Sequence, residues 1–207
     1  MAMDPETVVI EQLAMFGRAA KRQAAGGSVF RQALTDPSAA TERSGGDPPI
    51  LESDLPPLFD PGQPFDPDLA TLLRSDPLRT LPIAHRGLLL LRNDEDEAAH
   101  RVVQADEGQP DADAVHAIMH RREGDFGNAR YWARIVDGHP IYDRLSKAVT
   151  AVTGTAPVRQ SGRWSPIRMV DFCSNLDRSD DAAMTAARIA TELEMRLLRD
   201  HLLATVS

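Results

Sequence analysis

The chain has 207 residues, 26% of them charged and 42% hydrophobic, with a formal net charge of −8. This is a globular composition with room for one ordinary core, and its acidity argues against a general nucleic-acid binder, which needs a basic face for phosphates. A single cysteine, Cys173, excludes a disulfide framework and a cysteine-built zinc cluster within the chain. No apolar run approaches the ~20 residues of a membrane span.

Residues 6–23, ETVVIEQLAMFGRAAKRQ, predict a short amphipathic helix. Val9, Leu13 and Phe16 share one face, and Lys21 and Arg22 occupy the last turn, where the helix dipole favours cations. The acidic residues of MAMDPETVVIEQ stand where a signal peptide carries basic ones; with the lone thiol, this reads as a protein kept in the cytoplasm. The N-terminal segment runs over 1–34. From 35 to 65 the chain is rich in Pro, Gly, Ser and Asp, and ten of its 15 prolines lie between Pro37 and Pro82. Proline removes backbone donors and restricts the residue before it, so this stretch reads as an extended arm or linker. Its aliphatic islands Ile50-Leu51, Leu55, Leu58-Phe59 and Phe65 are expected to lie in part against a core.

From 66 to 207 the pattern is helical throughout, with no alternating β-branched run. Helices are expected over 66–73, from Thr80 through Leu91, and over 93–104, 111–123, 126–137, 140–153, 165–175 and 179–205, with a loop over 154–162. The fold class is all-α: an irregular helical bundle or array of αα-hairpins, preceded by an N-terminal helix and a Pro-rich arm. Near Cys173 only Asp171 and Asp177 stand as bases, so the thiol reads as a packed core group.

The chemistry concentrates in VHAIMHRREGDFGNARYWARIVDGHP, residues 115–140. His116, His120 and Glu123 fall at i, i+4 and i+7, one stripe on a helix, beside apolar Val115, Ile118 and Met119. A His-x3-His pair can present two imidazoles to one metal, with Glu123 or Asp125 as a third ligand or a base. The two nitrogens and a carboxylate suit zinc or iron. The alternative is that both histidines only bond their helix neighbours. Gly124 reads as a helix end and Asp125 as the N-cap of the next helix, with Asn128 completing the cap. Trp132 shares a packing stripe with Ala129, Ala133 and Val136, and His139 either caps or points back at the histidines. His120-Arg121-Arg122, Arg130 and Arg134 lie close together and could form a local basic patch, but they read first as a solvated helix face.

GDFGNARYWARIVDGHP also resembles the second half of a tetratricopeptide repeat, with no second copy at a 34-residue period. Residues 80–172 are similar to a family of uncharacterised bacterial proteins. Its pattern, H-x-I-M-H-R-R-E-x-D-x-x-N-A-x-Y-W-x-R-x-x-x-x-H-P followed by W-x-P-x-x-x-V-D, stands here as His116 to Pro140 and Trp164 to Asp171. His100 matches a further histidine of it. The resemblance implies that His100, His116, His120, Glu123, Asp125, Asn128, His139 and Asp171 belong to one pattern, without naming an activity.

Two functions follow as expectations. One is a helical binding module whose pocket, lined by histidines and carboxylates and including Arg122, Asn128, Trp132 and His139, takes a peptide, a protein or a small molecule. The other is a metal-dependent or acid/base enzyme, a hydrolase, with Glu123 and Asp125 catalytic and His116, His120 and Glu123, joined by His100, on the metal. No nucleic-acid or membrane partner is expected.

Overall fold

A computed structural model of the protein describes residues 50, 55–60, 62–74, 81–153, 159–160 and 162–205. The helix expected at 6–23 and most of the arm lie outside these residues. The described part is all-α, as its periodicity predicts. Helix α1 spans Pro67–Leu73 and starts where Asp66 Oδ1 accepts the Leu69 amide at 3.2 Å. Then come α2, Ile83–Arg92, just after Pro82, and α3, Asp96–Val103, which runs into a 3₁₀ turn at Gln104–Asp106. Helix α4 spans Pro110–Glu123 and α5 Phe126–Ile135. Helix α6 spans Ile141–Thr153, α7 Pro166–Ser174 and α8 Asp181–Thr205. Between α6 and α7, within the stretch expected as loop, Arg159–Gln160 and Arg163–Trp164 form a two-residue antiparallel ladder.

The turn between α4 and α5 is the one the sequence predicts. Gly124 closes α4 at φ 86°, a left-handed conformation that glycine adopts without cost from a Cβ. Asp125 then caps α5 by accepting the Asn128 amide at 3.1 Å. The expected helix at 93–104 begins three residues late. Asn93 caps the end of α2, Asp94 turns the chain at φ 60°, and Glu95 joins them before α3 starts at Asp96. Side-chain bonds hold this turn: Asn93 Oδ1 accepts the Asp66 amide at 2.8 Å, and Asn93 Nδ2 donates to Glu95 Oε2 at 2.9 Å.

Helix α4 is the central element. It packs against α2, α3, α5 and α8, and every residue from Ala112 to Arg122 is buried. This overturns the reading of Arg121 and Arg122 as a solvated face. Arg121 pairs with the buried Glu194 of α8. Arg122 reaches Asp94 Oδ1 at 2.6 Å and Asp96 Oδ2 at 3.5 Å, and it donates to the Leu91 carbonyl. A buried guanidinium persists only where such partners surround it, and all of them lie far away in the chain.

The end of the Pro-rich arm is seated on the helices. Leu55 and Leu58 are buried, and Arg188 of α8 donates to the carbonyls of Leu55 and Pro56 at 2.9 and 3.0 Å. Phe59 meets Phe126 edge-on at 5.8 Å. Cys173 is a core thiol, as expected, and burial pushes its pKa up to about 11.

Candidate metal centre

The site forms where α3 crosses α4. Gly87 on α2 makes close packing possible there: a Cβ at this position would lie 2.3 Å from Val103 Cγ1. Helix α3 can therefore settle against α2, and His100, three residues before Val103, faces the stripe that α4 supplies. The rings of His100 and His116 lie 4.9 Å apart, and those of His100 and His120 5.0 Å. His116 and His120, one helical turn apart, are stacked at 5.3 Å with planes 8° from parallel. Trp132 of α5 covers the other face of His116 at 4.2 Å and 15°. One ring nitrogen from each of the three histidines falls within 4.8 Å of the others.

His116 is the unusual member. It is 1% exposed, and neither ring nitrogen has a hydrogen-bond partner. Burial, with the neighbouring charges of His100 and His120 adding to it, pushes its pKa down to about 4. The ring is therefore neutral at pH 7, with a lone pair free to bind. An orphaned buried polar group carries a desolvation cost that native folds ordinarily avoid.

The carboxylates occupy the solvent side. Glu123 Oε1 lies 2.7 Å from His120 Nδ1, and Asp125 Oδ2 lies 4.0 Å from the same nitrogen. Both carboxylates are exposed. Glu123 thus holds His120 at Nδ1 and leaves Nε2 for a ligand, the usual arrangement behind a metal-bound imidazole. Asn128, also exposed, donates to Asp125 Oδ2 at 2.8 Å, and its backbone amide holds the Asp125 carboxyl below its usual range.

Not every expected site residue comes to this place. His100, His116, His120, Glu123 and Asp125 gather, with Asn128 at the rim and Trp132 beneath. Arg122 is buried within the ion-pair network of the α2–α3 turn and has no face toward a ligand. His139 lies at the far end of α4, where its Nε2 is 2.9 Å from Asp111 Oδ1. Asp171 pairs with Arg130 at 3.0 Å. A cavity of about 370 Å³ is lined by Leu73, Ile83, Leu90 and Val102 with Arg74, Arg86 and Arg101, and not by histidines. Sequence reasoning missed His201, which joins His139 on Asp111; nothing local to residue 201 signals that contact.

Compared with protein-family models, with curated proteins and with solved structures, the chain matches none. Among the described residues no helix is long and apolar enough to cross a membrane.

Proposed function

We propose that the protein is a transition-metal-binding helical module whose metal sits among His100, His116 and His120. One observation carries this reading: both ring nitrogens of His116 are buried without a partner, and one of them lies within 4.8 Å of a ring nitrogen from each of His100 and His120. Its neutrality at pH 7 suits a ligand, because imidazole binds metal only without its second proton. Three nitrogens suit zinc, with ferrous iron as the alternative, and leave a fourth position open. Glu123 keeps His120 in the required tautomer, and Asp125 and Asn128 form the rim at which a peptide or small molecule would approach.

Metal binding is tested on the purified full chain by zinc titration calorimetry and by the visible absorption of the cobalt form. Wild-type protein should take up zinc at the trio with a rise in melting temperature. His100→Ala and His116→Phe should each abolish that uptake. Wild-type zinc uptake in both variants would sink the reading.

A second reading, a metal-dependent hydrolase, draws on the exposed Glu123 and Asp125 carboxylates beside His120, which could serve as a base for a water on a bound metal. Here Glu123→Gln should keep the metal and lose turnover of an activated ester. Equal turnover in the variant would leave the binding module alone.

A further inference from the structure

We propose that Asp111, His139 and His201 form a second site for a divalent transition-metal cation, separate from the histidine trio. The three residues come from the first turn of α4, the approach to α6 and the end of α8. A single carboxylate oxygen, Asp111 Oδ1, lies 2.9 Å from His139 Nε2 and 3.1 Å from His201 Nε2. The two rings stand 5.0 Å apart with planes 72° from parallel, so they converge on that oxygen by their nitrogen-bearing edges instead of stacking. One ligand atom from each of the three residues falls within 4.8 Å of the others.

A tetrahedral zinc ion with bonds of about 2.0–2.1 Å holds its ligand atoms about 3.3 Å apart. The two contacts to Asp111 therefore need to open by only a few tenths of an ångström to admit the ion. Two imidazoles and a carboxylate, with positions left open, form a donor set suited to zinc or ferrous iron. His85 stands nearby: its Nε2 lies 3.2 Å from the Leu202 carbonyl, and its Nδ1 is buried without a partner.

In the metal-free arrangement both Nε2 atoms are positioned to donate to Asp111. On binding, each neutral imidazole turns its lone pair at Nε2 to the cation and carries its proton on Nδ1. For His139 this means giving up a long contact, 3.4 Å, from the Ile141 amide. The helix ends suit the charges, because a carboxylate is favoured in the first turn of α4 and a cation at the end of α8. Bound metal would tie the end of the last helix to the start of the central one.

The experiment uses the full chain carrying His116→Phe, which silences the trio. Zinc titration calorimetry and cobalt absorption should find one equivalent bound, with a rise in melting temperature. Adding His201→Gln, at a half-exposed position that can change without emptying the core, should remove that equivalent and the rise; Asp111→Asn should do the same. If the wild type and His116→Phe each bind a single equivalent that His201→Gln removes, this site stands and the trio does not bind zinc. The proposal is overturned if His116→Phe binds no stoichiometric zinc, or if neither added substitution changes its uptake.

Discussion

Arg121 and Arg122 share a helix with His116 and are buried as deeply, yet the two arginines and this histidine are treated in opposite ways. Each guanidinium has carboxylates against it, Glu194 for one and Asp94 with Asp96 for the other. His116 has nothing at either nitrogen. This contrast separates scaffold from site along a helix whose polar and apolar residues are alike buried from Ala112 to Arg122. Permanently charged groups must be neutralised to fold at all, whereas imidazole can be buried neutral and left open, at a modest cost, for something that arrives later.

Removing one partner of the arginine pairs should break the fold. Arg121→Met strands the Glu194 carboxylate and should cost about 3–5 kcal/mol in chemical denaturation. Adding Glu194→Leu should restore most of that loss, since a buried pair is often replaceable by apolar groups. Full loss in the double variant as well would mean that the pair stabilises beyond its own compensation.

Trp132→Ala touches the other side of the comparison. It removes a buried aromatic and the surface on which His116 stacks, and should cost about 3–4 kcal/mol. An unchanged melting temperature would contradict the packing of α5 on α4.

Asp96 tests how complete the neutralisation is. Burial raises its pKa to about 6, against the opposing pull of Arg122. A carboxyl with a raised folded-state pKa takes up a proton on folding. Its contribution is therefore fully present below the unfolded pKa of about 3.9 and is lost as pH rises through about 6. Asp96→Asn, which cannot ionise, should gain on the wild type by about 2–3 kcal/mol between pH 4 and pH 7. Denaturation curves that run parallel across this range would show that Asp96 is charged at no cost.

His116→Phe should have the smallest effect. An unpartnered buried imidazole replaced by an apolar ring of similar shape loses no hydrogen bond, so metal-free stability should move by no more than about 1 kcal/mol. A loss comparable to that of Arg121→Met would mean that His116 holds the fold.

Much of this was legible along the chain. The Gly124 helix end, the Asp125 cap and the start of α2 just after Pro82 depend on residues within a turn of one another, and local backbone chemistry decides them. So does the stripe of His116, His120 and Glu123, because helical periodicity alone puts the three on one face. What the sequence did not determine is which faces meet. His100 joins His116 and His120 because α3 settles against α2 at Gly87 and crosses α4, and the Glu123 carboxylate lies against His120 Nδ1. His139 leaves its neighbours for Asp111 and His201, and Arg121 and Arg122 go inside because Glu194, Asp94 and Asp96 arrive from other helices. Spacing fixes the direction of a side chain relative to its own helix axis, but the packing of whole helices fixes what lies opposite, and here that packing separated the paired charges from the open imidazole.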